Sequence, residues 1–299
     1  MKVACVDIGR SGIKSALFEV GQGRPEISGV EWLAMPEVGA DLTVALLGLL
    51  RKRISSRAGV AAVGIATAGQ VSRSGYVSAT IGDLYRDGCA LGARLGEQLQ
   101  LPVLVRNDVQ LMTLAEARYG AGQGWPVVLG VAIGSGVGGG IVREGKLDIG
   151  ADGIAGECGH VRAVDEGIGR PCWCGGRGCL DVQVSGLAIE GRFRELTGRE
   201  EIATDILREA VHGGPAATVV RAMMEELATG LETLACCLNP SGIILGGSIG
   251  VAIGPLLGIL KDKMSQHPYV AVQGTTVRVA ELGVHAQLYG AAVLCESAC

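Results

Sequence analysis

Two short stretches of this chain follow one plan. Lys2–Ile8 is an apolar run that leads into Asp7-Ile8-Gly9-Arg10-Ser11-Gly12-Ile13-Lys14, and Gly12–Val20 continues as a second strand. Val127–Ile133 leads into Gly134-Ser135-Gly136-Val137-Gly138-Gly139-Gly140 and continues through Ile141-Val142. Each is a strand–glycine turn–strand unit, and together they open the two halves of the chain. The repeat predicts a duplicated α/β domain with a cleft between the copies. Backbone N–H groups in such turns form a concavity for phosphate oxygens. Either turn alone is equally well a tight hairpin; the pair in register favours a nucleotide. Neither is a Walker loop, because no Gly-Lys-Ser/Thr follows four residues after a glycine.

The segments between them alternate in type. Leu42–Ile54 has helical apolar spacing, Val60–Ala66 is a strand, and Cys89–Leu99 is a helix stopped by Leu101-Pro102. Val103–Arg106 is a strand ending at Asn107-Asp108, and Val109–Tyr119 is a helix that runs into a glycine-rich break and hinge candidate, Gly120–Gly124. Ala216–Cys237 is a long helix, and Ile243–Leu245 a strand entering Gly246-Gly247-Ser248. Such alternation predicts α/β layers. With 299 residues, 48% of them hydrophobic, two domains of roughly 100–200 residues can each bury a core. Aromatics are only 3%, so that core is built from Ala, Val, Leu and Ile.

A net charge of −4 with no long basic stretch argues against nucleic acid as a partner. Arg51-Lys52-Arg53 reads as cations near a helix C-terminus. No apolar run reaches the roughly 18 residues of a membrane helix, and Met1–Asp7 lacks a signal-peptide pattern. The expectation is a cytoplasmic protein, whose ten cysteines stay reduced. Cys5, Cys236, Cys237 and Cys295 lie in apolar contexts and read as small buried hydrophobes.

Three other cysteines differ. Cys172-Trp173-Cys174-Gly175-Gly176-Arg177-Gly178-Cys179 follows His160 by twelve residues. Three thiolates and one imidazole complete a tetrahedral zinc shell, and a full shell marks a structural rather than a catalytic ion. Asn107-Asp108 lies at a strand end, where α/β proteins place ligands. Asp108 there either accepts a proton from an alcohol attacking a nucleotide γ-phosphate or merely caps the following helix. Glu157-Cys158-Gly159-His160 sets a carboxylate beside a metal ligand whose second ring nitrogen can donate outward. Asp181 follows Cys179 closely enough to reach the same place. Carboxylates plus a fixed donor suit a polyhydroxy ligand, since each hydroxyl donates and accepts.

In this order, these residues resemble the ROK family (repressor, open reading frame, kinase), a branch of the actin-like sugar kinases. The resemblance covers nearly the whole chain. Asp7–Lys14 and Gly134–Gly140 are similar to its two phosphate motifs, Asn107-Asp108 to its Asn-Asp, and Glu157–His160 to its sugar-binding Glu-x-Gly-His. Cys172–Cys179 is similar to its zinc motif, Ile244–Ser248 to its nucleotide motif, and Gly290-Ala291-Ala292 to its closing helix. It implies two actin-like (ribonuclease H-like) α/β domains with an interdomain cleft. Residues 1–108 plus 287–299 would form the small domain, and 109–286 the large one carrying the zinc loop.

The resemblance also implies roles. Asp108 would be the general base that deprotonates a sugar hydroxyl, usually the 6-hydroxyl. Gly69, Asn107, Asp108 itself, Glu157, His160 and Asp181 would bind the sugar. Asp7, Gly9, Ser11, Gly134, Ser135, Gly136 and Gly247 would hold ATP with Mg²⁺, and His160, Cys172, Cys174 and Cys179 one structural Zn²⁺. A homodimer is implied as well. Departures from the family pattern are Arg10 in place of glycine, Asp181 in place of glutamate, and Ala68-Gly69-Gln70 in place of Pro-Gly-Pro. Ser78–Asp83 stands where glucokinases carry an Asn-rich segment. The last two, with Thr67-Ala68-Gly69, look more like N-acetylmannosamine kinases than glucokinases, so N-acetylmannosamine is expected ahead of glucose. A repressor is disfavoured, because a phosphate motif starting at Asp7 leaves no room for a DNA-binding domain before it. Arg10 and Asp181 motivate a third reading, a catalytically weak sugar-binding protein.

Overall fold

The structure, a computed structural model, describes residues 1–9, 12–21, 23–36, 41–56, 59–78 and 88–298. Arg10, Ser11 and the Ala79–Asp83 part of the segment compared with glucokinases lie outside these. The chain forms two compact units. One comprises Met1–Gly120, Leu147–Ala155 and Leu282–Cys299, the other Ala121–Lys146 and Gly156–Glu281.

In chain order the elements are β1 (Lys2–Ile8), β2 (Gly12–Glu19), β3 (Ser28–Ala34), α1 (Leu42–Ser56), β4 (Val60–Thr67), β5 (Gln70–Val71), β6 (Val77–Ser78), α2 (Leu91–Leu99), β7 (Val103–Asn107) and α3 (Asp108–Tyr119). Then follow β8 (Val127–Ile133), β9 (Val137–Arg143), β10 (Lys146–Asp148), α4 (Leu180–Val184), α5 (Gly186–Thr197), α6 (Ala203–Glu209) and α7 (Gly214–Leu238). The last are β11 (Gly242–Gly246), α8 (Gly247–Ala252), α9 (Leu257–Ser265), α10 (Val270–Gln273), β12 (Thr276–Val279) and α11 (Ala286–Ala298).

The two large sheets share one topology. The first has the order β3-β2-β1-β4-β7 and the second β10-β9-β8-β11-β12. Each begins with an antiparallel hairpin, β1–β2 or β8–β9, and adds two parallel strands beside the hairpin's first strand. The repeat expected from the glycine turns is therefore a repeat of whole sheets. The turns themselves differ in parity. Ile8 pairs with Ile13, leaving residues 9–12 between them, whereas Ile133 pairs with Val137, leaving 134–136. Gly138–Gly140 belong to β9 and not to the turn. Glycine is needed there for contact: a Cβ on Gly139 would run into the Cys158 Sγ and the Gly156 carbonyl.

In the first unit β1 is buried on both faces, as expected for a strand paired with a parallel neighbour under helices. Leu42, Leu46 and Leu50 of α1 and Leu91 and Leu95 of α2 join Val6, Ile8, Val63 and Ile65 in one apolar cluster. Each such leucine contributes roughly 1.5–3 kcal/mol when buried. Helices α3 and α11 pack on each other and on β4. Their approach is very close: a Cβ on Gly290 would collide with the Leu111 carbonyl, and one on Gly64 with the Ala291 carbonyl.

Two readings of the sequence change here. Arg53 is buried rather than merely placed at a helix end. Its guanidinium donates to Ser15 Oγ at 3.0 Å, to the Ser15 carbonyl at 2.7 Å and to the Gly29 carbonyl at 2.5 Å, pinning α1 to β2 and β3. Cys5 and Cys295 are buried as expected, but Cys236 and Cys237 are exposed. The buried side of α7 passes through Leu231, Leu234 and Ala235, which turns the next two positions outward.

Candidate functional site

In the first unit the parallel pairing of β4 and β7 sets Thr67 beside Asn107. The chain leaves β4 through Gly69, whose φ of +98° suits glycine. Asn107 Nδ2 donates to the Gly69 carbonyl at 3.0 Å, while Asn107 Oδ1 accepts from the N–H groups of Val109 at 2.9 Å and Gln110 at 3.2 Å. Asn107 is thus the N-cap of α3, and Asp108 is freed from that task. Asp108 sits on the first turn of the helix, its Oδ1 accepting from the Val109 N–H at 2.9 Å. Burial pushes the Asp108 carboxyl above the usual carboxylate range, against the pull of the Val109 N–H.

Asp7, at the end of β1, is buried and pairs across the hairpin with Lys14, whose Nζ lies 3.6 Å from Asp7 Oδ2. Burial raises the Asp7 carboxyl to about 6; Lys14 opposes the rise and the charge of Asp108 adds to it. Two carboxylates and one ammonium are therefore gathered at the carboxyl ends of β1 and β7. Gly9 opens the turn, its N–H bonded to the Gly12 carbonyl at 3.0 Å.

The second unit repeats the strand end with a different set of side chains around it. The Gly134 N–H donates to the Gly136 carbonyl at 2.8 Å, and the Gly134 carbonyl accepts from the Gly186 N–H at 2.7 Å. Asp181, on α4, accepts from the Val137 N–H at 2.7 Å and so braces this turn from outside. Gly247, with a φ of +76°, follows β11 where a Cβ would meet the Ile133 carbonyl. A pocket of about 200 Å³ opens beside these turns, lined among others by Gly134, Ser135, Gly186, Glu190, Thr204 and Ser248. Glu190 Oε1 accepts from the Ala203 N–H at 3.0 Å, which fixes the start of α6 as one wall.

The metal-ligand set is assembled in the same unit. Cys158–His160 form a 3₁₀ turn laid so tightly on β9 that a Cβ on Gly159 would strike the Val137 carbonyl. Glu157 is exposed and His160 half-buried. The loop 172–179 folds back through Cys172 N–H to Gly176 at 2.8 Å and Gly175 N–H to Cys172 at 3.0 Å. One donor atom from each of His160, Cys172, Cys174 and Cys179 lies within 4.8 Å of every other. Cys174 Sγ is 3.7 Å from Cys179 Sγ, and Cys172 Sγ is 3.6 Å from His160 Nδ1. A tetrahedral zinc with Zn–S near 2.3 Å has edges of about 3.8 Å, so the cluster fits that ion. Burial holds the Cys179 thiol up at about 12, and a cation at the centre reverses that preference.

Sequence reading did not single out the pocket residues Gly186, Glu190 and Thr204. They come from helices α5 and α6, whose amphipathic pattern carries no mark of a ligand. Nor did it foresee that Asn107 rather than Asp108 would cap α3; both residue types are good caps, and only the pairing with Gly69 separates them.

Two α/β units of one topology, each opening on a glycine turn, define an actin-like fold. The chain matches the ROK family model over residues 3–298 and belongs to that family. It is 32% identical to a glucokinase of Halalkalibacterium halodurans over 274 residues, 84% of this chain and 82% of that one. It is 30% identical to an N-acetylmannosamine kinase of Vibrio cholerae over 258 residues, 86% of this chain and 87% of that one. A ROK family glucokinase from Streptomyces griseus, solved in complex with glucose and AMPPNP, superposes with a TM-score of 0.77 at 27% identity, covering 98% of this chain and 99% of that one.

Proposed function

We propose that this chain is an ATP-dependent sugar kinase that phosphorylates the 6-hydroxyl of a hexose, with N-acetylmannosamine ahead of glucose as the acceptor. The observation that carries the reading is the Asp108 carboxyl, held at the start of α3 with its affinity for a proton raised. A general base works best when its pKa approaches the working pH. Asp108 takes the proton of the attacking hydroxyl as its oxygen bonds to the γ-phosphorus and the bond from that phosphorus to the β-phosphate bridging oxygen breaks. Gly69, Asn107, Glu157, His160 and Asp181 hold the sugar, with His160 donating through Nε2 because Nδ1 faces the thiols.

The concavities of the two glycine turns, at Gly9 and at Gly134, Ser135 and Gly136, with Gly247 beyond β11, receive the phosphates. Asp7 would hold Mg²⁺, which when bound would neutralise developing phosphate charge. His160, Cys172, Cys174 and Cys179 would hold one structural Zn²⁺, which when bound would give His160 a fixed anchor. The same reading makes the protein a cytoplasmic homodimer.

The test is ADP release by purified protein on N-acetylmannosamine, N-acetylglucosamine, glucose, mannose, fructose and allose. N-acetylmannosamine should give the highest kcat/KM. Activity on glucose alone overturns the acceptor preference, and no activity on any of the six overturns the kinase.

A further inference from the structure

Trp173 stands between two of the metal-ligand cysteines, and its side chain has no part in holding a metal. The rest of the loop is built for a tight backbone, with Gly175 and Gly178 at φ of +89° and +73° and Gly176 between the thiols. A small residue at 173 would serve the fold of such a loop. Instead an indole is carried there, 61% exposed, with its ring against the His160 imidazole: the centroids are 4.8 Å apart and the planes 78° from parallel. That is the edge-to-face arrangement aromatic rings favour.

A bond from Nδ1 to a metal fixes one point of an imidazole and leaves its plane to be set by neighbours. With Nδ1 so engaged the ring proton sits on Nε2, and the plane decides where that N–H points. We propose that Trp173 is a positioning residue for the sugar: it sets the plane of the zinc-anchored His160 so that Nε2–H is aimed at one hydroxyl of the acceptor. The inference rests on His160 being the sugar ligand proposed above. It adds the residue that orients it, and thereby a determinant of which hydroxyl arrangement is accepted.

The chain has four histidines, so the His160 ring signals can be assigned in histidine-labelled, zinc-loaded protein by comparison with His160→Gln. The NMR signal of the His160 Nε2–H should be sharp in the wild type, broadened in Trp173→Ala and restored in Trp173→Phe. All three proteins should keep about one zinc per chain. In parallel, Trp173→Ala should raise KM for the accepted sugar about two- to tenfold while kcat changes less than twofold, and Trp173→Phe should recover most of the loss. An unchanged His160 signal in zinc-loaded Trp173→Ala overturns the proposal whatever the sugar results. So does loss of zinc from both variants, which would make the indole a structural prop of the loop. Failure of the kinase reading shows separately, as a wild-type protein that phosphorylates none of the six sugars.

Discussion

The two glycine turns stand at equivalent places in equivalent sheets, yet their surroundings are opposite. The first, beyond β1, has Asp7, Lys14 and Asp108 around it, and the two carboxyls are pushed above their usual range by burial. The second, beyond β8, is bordered by glycine and serine. Two carboxylates stand near it: Asp181, which accepts the Val137 N–H, and Glu190, which accepts the Ala203 N–H and lines the pocket beside the turn. Duplication supplies the same backbone concavity twice; side chains then divide the labour. The first copy gathers two buried carboxyls and an ammonium at its strand ends, while the carboxylates of the second copy are engaged by backbone N–H groups.

That division can be broken at either side. The largest effect is expected at the charged turn. Asp108→Asn should lower kcat by about 10²–10⁴-fold and leave sugar binding by calorimetry close to wild type; retention of full activity would remove Asp108 as the base. In the second unit, Cys179→Ser should drop zinc from about one per chain to near zero by metal analysis and lower the unfolding midpoint by several degrees.

Asp7 offers a test on pH. Its folded value of about 6 lies above the ordinary 3.8, so the folded state binds the proton more tightly than the unfolded state. The stability this contributes is present below about pH 4 and is lost as the pH rises towards 6, on the order of 3 kcal/mol. Asp7→Asn should flatten that part of the denaturation profile, and an unchanged slope would assign it elsewhere. The smallest effect sharpens the comparison most. Among the described residues, a Cβ on Gly134 meets nothing within 4 Å, and one on Gly9 meets only the Gly12 carbonyl oxygen at 3.5 Å. Gly9→Ala and Gly134→Ala should therefore fold with nearly unchanged melting temperature. If phosphates approach both turns, each variant should raise KM for ATP about tenfold with the sugar KM unaffected.

Much of this was legible in the residues. The strands that open the two halves announce themselves by short apolar runs ending in glycine, and the metal cluster by three thiols and an imidazole at close spacing. Strand β3, with Gly29 and Glu31 inside it, was not legible, because its place at a sheet edge relaxes the demand for alternation. The roles of Gly138–Gly140 were misread for a physical reason: glycine serves a flexible turn and a crowded strand equally well, and only the neighbouring Cys158 and Gly156 tell which. The N-cap of α3 was ambiguous between Asn107 and Asp108, because both types cap well; the structure gives it to Asn107.

The tight seam of α11 on α3 and β4 has a consequence for how the molecule comes into being. The first unit is completed by residues beyond Leu282, whereas the second lies wholly within 121–281. On a ribosome, which releases the chain from its N-terminus, the half begun first is finished last. Until Gly290 can settle against Leu111, the nascent sheet of β1, β4 and β7 waits with the α11 side of β4 uncovered. During that interval apolar surface of the first unit stays open while the chain is still being made.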